Sequence, residues 1–132
     1  MKKVVYSFIL TLLLSLGGCS DDSRITGKWQ LTRIDCLDRE EYTDSVYYNF
    51  HHEVCKIQLR RQHDIYTTGY LWGMYTLFGD SLTISLNTNV DLSVVSPVLG
   101  WRELVKKYKI EELGRTKLTL SCRDTVYYFR KF

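Results

Sequence analysis

The sequence contains no alanine and one proline, Pro97. Alanine is the strongest helix former, so a chain without it is a poor candidate for a helix bundle. A single proline excludes the Pro-rich composition of extended linkers and much disordered sequence. Charge of one sign is lacking too. With residues 1–18 read as a targeting segment, Lys2 and Lys3 leave with it, and 18 basic side chains fall to 16 against 15 acidic ones. That balance creates no general field for nucleic acid or for an anionic membrane. The N-terminal apolar run, residues 4–16, has 13 residues, short of the roughly 20 that span a bilayer as a helix. What is abundant is aromatic side chain, at 14%, with ten tyrosines. A single Tyr-rich β domain is the class that this composition favours.

Met1 to Lys3 is basic, residues 4–16 are uncharged, and the run closes on Leu16, Gly17, Gly18 and Cys19. That is the three-part plan of a secretory signal. The closing tetrad resembles a bacterial lipobox, in which an apolar residue and two small ones precede a thiol that receives a diacylglyceryl group. The resemblance implies a signal peptide at 1–18, lipid attachment at Cys19 and a membrane partner through that anchor. Several acyl chains hold far more firmly than one. Ser20, Asp21, Asp22 and Ser23 then read as part of a flexible tether, residues 19–24. A serine followed by acidic residues also resembles an export signal of certain Gram-negative lipoproteins, and it implies an outer-membrane protein displayed at the surface. A periplasm-facing anchor is the alternative.

From Ile25 onward the apolar pattern has a period of two, as in strands with one buried face. Leu82, Ile84 and Leu86 alternate with Ser81, Thr83 and Ser85. Cys55, Ile57 and Leu59 alternate with Lys56, Gln58 and Arg60. Turn pairs such as Gly79-Asp80 and Gly114-Arg115 separate the runs. The pattern predicts strands near 27–35, 52–60, 64–70, 71–78, 81–87, 108–113, 116–121 and 124–131. It predicts one short helix, 101–107, from Trp101, Leu104 and Val105 at i, i+3 and i+4, docked as a lid or plug at one end. About eight antiparallel strands with one apolar side stack as a sandwich or close into a barrel.

Gly27, Lys28 and Trp29 resemble the Gly-x-Trp signature that opens the first strand of lipocalins. In that family the tryptophan closes the barrel floor and a basic residue late in the last strand covers its ring. Arg130 stands at that position here. Lipobox, short acidic tether, Gly-x-Trp strand, a mid-chain Gly-x-Tyr strand ending in Gly79-Asp80 and an aromatic last strand together resemble small bacterial lipocalin-like lipoproteins. The resemblance implies an up-and-down, lipocalin-like β-barrel over residues 25–132.

Chemistry-bearing residues are sparse. His51, His52, Glu53 and Cys55, with His63 and Asp64, form the one metal-capable cluster, but neighbours on a strand point to opposite faces and no second half-site follows. No metal and no cofactor is expected. No serine lies in a Gly-x-Ser-x-Gly elbow, and Glu40-Glu41 and Glu111-Glu112 diverge on strands, so an enzyme is not expected. Beyond the inner membrane Cys36, Cys55 and Cys122 permit one disulfide at most. Antiparallel pairing of Gly27 with Lys131 would set Cys36 opposite Cys122, and Cys55 also approaches Cys36; three reduced thiols are the alternative. Tyr70, Trp72 and Met74, with Tyr48 and Phe50, are candidates to line a ligand mouth, whereas a small barrel filled by its own side chains leaves no cavity. Asp44, Asp80 and Asp124, each before Ser or Thr, read as turn chemistry. The sequence thus predicts a non-enzymatic envelope module that binds a small apolar or amphipathic ligand. The alternative is an interaction or inhibitor module of the same fold that docks an envelope protein.

Overall fold

The structure, a computed structural model, describes residues 24–60, 69–87, 89 and 101–132. Eight strands follow in chain order: β1 Gly27–Cys36, β2 Arg39–His51, β3 Val54–Leu59, β4 Gly69–Phe78, β5 Ser81–Leu86, β6 Val105–Leu113, β7 Lys117–Cys122 and β8 Thr125–Lys131. Each pairs antiparallel with its neighbour, and β8 closes on β1 to complete a barrel. Closure removes both sheet edges, so the sandwich alternative falls away.

Alternation builds the core directly. β5 buries Leu82, Ile84 and Leu86 and leaves its Ser and Thr half-buried. β7 does the same with Leu118 and Leu120. Tight hairpins keep the register. His52 and Glu53, at φ 45° and 66°, form a two-residue turn between β2 and β3, and Gly79 at φ 59° opens the turn before β5. Gly73 marks the closest crossing of two strands. A Cβ there would sit 2.7 Å from Leu86 Cα and collide with the Ser85 carbonyl oxygen.

Several expectations need correction. The strand expected at 52–60 is β3, but the pattern missed the 13-residue strand β2 that precedes the turn at His52 and Glu53. Its first half runs past the core with both faces exposed, so it carries no apolar alternation; Arg39 pairs with Glu41 at 3.3 Å instead. Asp44 lies within this strand rather than in a turn. β4 runs unbroken through the boundary expected between 70 and 71, and the part of the 64–70 strand before Gly69 lies outside the described residues.

The expected helix at 101–107 is absent. Leu86 N donates to Leu104 O at 2.8 Å and Val105 pairs with Ser85, so the chain is drawn into the sheet. Trp101 and Leu104 still face inward, but from extended chain, while Val105 is exposed.

The closing register is displaced by two residues. Trp29, not Gly27, pairs with Lys131, and an irregularity between Leu31 and Arg33 shifts the pairing once more, to Asp35 with Val126. Thr125 therefore faces Cys36, at 3.7 Å between Sγ and Oγ1. Cys122 lies one strand further on, in β7, paired with Thr125. The expected Cys36–Cys122 bridge is not formed, and Cys36, Cys55 and Cys122 are all free thiols.

Candidate ligand site at the barrel mouth

An up-and-down barrel has two distinct ends. Here the turns β2–β3, β4–β5 and β6–β7 share one end with the first residues of β1 and the last of β8; the other connections share the opposite end. The first is the floor. Trp29 is fully buried there, and its Nε1 donates to Ile25 O at 2.8 Å. Lys131 covers the indole, with Nζ 4.4 Å from the ring centroid, and donates to Thr26 O at 2.6 Å. Gly27, at φ +121°, leaves room for it, since a Cβ would lie 2.6 Å from Lys131 Nζ. The covering cation was expected to be Arg130. Strand alternation turns Arg130 outward, where Nε donates to Gln30 Oε1 at 2.6 Å.

Gln30 is buried on the outer surface. Its Nε2 donates to Asp44 O at 2.9 Å and to Tyr47 Oη at 3.2 Å, so each end of the amide is satisfied. This outer network braces β1 against β2 and β8.

Aromatic rings fill the barrel above the floor. Tyr48 meets Phe129 edge-on at 5.0 Å, and Phe50 meets Tyr75 in the same way at 5.0 Å. Tyr48 and Phe50 are thus interior residues. Tyr70, Trp72 and Met74 are not: they stand on the outer face of β4, 51%, 58% and 50% exposed. Lys56 Nζ lies 4.1 Å from the Tyr70 ring centroid on the same face. Only Tyr48 and Phe50 of the five expected residues share the interior.

The mouth carries the groups with chemistry. Trp101 reaches inside and donates from Nε1 to Tyr48 Oη at 3.4 Å. β6 turns Lys106 and Tyr108 inward, and β8 brings Tyr127 against both. Lys106 Nζ donates to Tyr127 Oη at 2.7 Å and lies 4.7, 5.2 and 5.6 Å from the ring centroids of Tyr127, Tyr108 and Trp101. Burial lowers its pKa from 10.5 to about 8, against the opposing effect of the nearby Cys122 and Cys36 thiols. Burial raises the Tyr48 phenol to about 12 and holds Tyr108 and Tyr127 above the ordinary phenol range. Tyr108 Oη is fully buried beside Tyr48. Leu59, Leu71 and Leu104 are half-buried at the same end.

Lys106, Tyr108 and Tyr127 escaped the sequence reading. The signal was present: once 105–113 is taken as a strand, Lys106 shares the parity of Tyr108 and Ile110, which places an amine on an apolar face.

His51 and His52 meet no third potential ligand among the described residues. His51 ends β2 and stacks on His52 at 4.0 Å in the exposed turn. Among the described residues no group of three or more potential ligands converges, and His63 and Asp64 lie outside them.

A family model described as a lipocalin-like domain matches residues 12–132. The chain belongs to the lipocalin-like domain family. Two solved structures resemble this lipocalin-like barrel. One is a lipocalin-like protein from Bacteroides uniformis, at 29% identity and a TM-score of 0.73, covering 83% of this chain and 99% of that one. The other is an uncharacterized protein from Bacteroides eggerthii, at 25% identity and a TM-score of 0.68, covering 81% and 98%. No curated protein matches the sequence. Lipocalin-like barrels generally bind ligands rather than catalyse reactions.

Proposed function

We propose that the chain is a lipid-anchored binding module of the cell envelope that receives a small apolar or amphipathic molecule through the barrel mouth. The observation that carries this reading is the chemistry inside that mouth. Half-buried leucines stand beside inward-facing Lys106, Tyr108 and Tyr127, a mixture that a purely structural core does not require. Polar groups of this kind are costly to desolvate and are retained where they orient a ligand.

The anchor is read from Leu16-Gly17-Gly18-Cys19, and Ser20, Asp21 and Asp22 after it support display at the outer-membrane surface, with a periplasm-facing anchor as the alternative. Native mass spectrometry of protein taken from its own membrane tests both parts. The expected result is a mature chain beginning at an acylated Cys19 with a co-purifying small apolar mass. An unacylated chain removes the anchor, and a ligand-free barrel that takes up no apolar probe removes the binding reading.

A second reading, docking of an envelope protein, is favoured by the exposed Tyr70, Trp72 and Met74 on β4. Its mark is that Trp72→Ser abolishes partner binding while uptake of small molecules is unchanged.

A further inference from the structure

We propose that this chain associates with itself, the tip of the β1–β2 hairpin of one copy docking on the outer wall of β4 in the next. The inference rests on the reading above that the β4 face docks a protein, and it names that protein as a second copy of this chain.

The wall has the composition of a covered surface. Outward positions along β4 are Tyr70, Trp72, Met74, Thr76 and Phe78, and the inward ones include Leu71, Tyr75 and Leu77. The ten-residue strand therefore carries no charge and is apolar on both faces. Strands of that kind belong to sheets packed on both sides, yet the outer row is open and Phe78 is 89% exposed. Beside it, β5 presents only Ser81, Thr83 and Ser85 outward, which makes a shallow bed next to the aromatic ridge. Aromatic and methionine side chains with few charges mark the centre of protein interfaces.

Charge says which partner fits. No carboxylate stands on β3, β4 or β5. Lys56 on β3 and Lys107 on β6 flank the bed, and neither has an ion-pair partner among the described residues, whereas the neighbouring Lys109 is met by Glu111 at 3.7 Å. An occupant that is apolar in the middle and acidic at its margins complements this wall.

The chain itself carries such an element. The β1–β2 hairpin runs past the core, and its tip exposes Leu37 at 85% and Tyr42 at 74%. Arg33 is taken by Asp35 at 3.1 Å and Arg39 by Glu41 at 3.3 Å, which leaves Asp38, Glu40 and Asp44 exposed without a cation among the described residues. Tyr42 Oη donates to Glu40 at 3.0 Å, so ring and carboxylate share one face of the ribbon. Lys56 and Lys107 stand three strands apart, about 14 Å along the sheet, which is room for a two-stranded ribbon between them. Tip and wall are different surfaces, so the contact is head-to-tail and copies add in series, with one tip and one wall left free at the two ends.

The test measures mass by sedimentation of the mature chain carrying Cys19→Ser, which has no acyl group, under reducing conditions. The average mass is expected to climb with protein concentration at about 0.05 M salt and to fall toward that of one copy at about 0.5 M, where charges are screened within a few ångström. Trp72→Ser on the wall, and Leu37→Ser with Tyr42→Ser on the tip, are each expected to weaken association at least about tenfold. Mixed together, the two variants are expected to form a complex of two copies and no larger, because one supplies the tip and the other the wall. Both are surface changes that should keep the parent melting temperature, and failure of two such folded variants to pair overturns the head-to-tail contact. A parent chain that sediments as one copy up to millimolar concentration overturns self-docking and leaves the β4 face to a foreign protein. Association that survives Trp72→Ser removes the β4 reading and this inference together. Association lost with Trp72→Ser but kept in the tip variant overturns the tip and assigns the wall to a symmetric contact with itself.

Discussion

Lys131 Nζ sits 4.4 Å from the centre of the Trp29 ring, and the neighbouring Arg130 points the other way, into a bond with Gln30. One residue of parity separates the two roles. Lys131→Met is expected to cost about 0.5–2 kcal/mol through the lost cation–aromatic contact and the lost bond to Thr26 O. Arg130→Met should disturb the outer Gln30 network and leave the environment of the indole unchanged. Urea unfolding, with Trp29 isolated by Trp72→Phe and Trp101→Phe, distinguishes the two; a larger spectral change in the Arg130 variant would reverse the assignment.

Gly73 and Gly79 of the β4–β5 hairpin should respond differently to a methyl group. Gly73→Ala forces a Cβ against the backbone of Ser85 and Leu86 and is expected to cost more than about 3 kcal/mol, because rigid backbone must move. Gly79→Ala meets open space at φ +59° and should cost about 1–2 kcal/mol from the left-handed conformation alone. Thermal melting of the two variants checks the order.

Stability should rise with pH just above neutrality. The Lys106 amine has a lower pKa folded, about 8, than its ordinary 10.5. Between those values the unfolded chain binds more protons than the folded one, so unfolding free energy climbs as pH passes about 8. Cys55, whose thiol burial raises above its ordinary 9.0, acts with the opposite sign once the unfolded thiol ionises. Tyr48, Tyr108 and Tyr127 follow above the ordinary phenol value of 10.0. The rise is therefore confined to about pH 8–9. Lys131, also lowered by burial, adds a slope of the same sign, so the contribution of Lys106 is read by difference. Lys106→Met should flatten the profile and stabilise the chain at pH 7 by about 1–3 kcal/mol. A slope unchanged in that variant would assign the titration elsewhere.

The thiols of Cys36, Cys122 and Cys55, free among the described residues, have unequal access and should label in order. Cys36 and Cys122 are half-buried at the mouth, and Cys55 is fully buried with its thiolate disfavoured. Alkylation in native buffer is expected to modify the first two and to reach Cys55 only in denaturant. Mass analysis under non-reducing conditions should count three thiols; a mass two units lower would reveal a bridge.

The barrel was legible because the signals that specify it are local. Leu82, Ile84 and Leu86 announce a half-buried strand by themselves, and Gly27 with Trp29 marks where closure begins. What escaped depends on partners distant in sequence. The outer half of β2 around Arg39 to Tyr42 has no apolar face to display, since it extends beyond the core. Trp101, Leu104 and Val105 fit a helical spacing, and only the pairing of Ser85 and Leu86 with the chain at 104 and 105 draws them into the sheet. The choice between Arg130 and Lys131 turned on strand parity, since Lys131 shares the inward face of Tyr127 and Phe129 and Arg130 does not. The mouth residues were hidden by the same helical reading, which concealed the inward parity of Lys106.

The first and last described residues lie beside the tryptophan-sealed base: Ile25 caps Trp29, and Phe132 N bonds to Lys28 O at 2.9 Å. A domain tethered from its N-terminal side therefore stands on its closed bottom like an upright cup. On the proposed anchor, the opening lies at the end of the barrel opposite the side from which the domain is tethered.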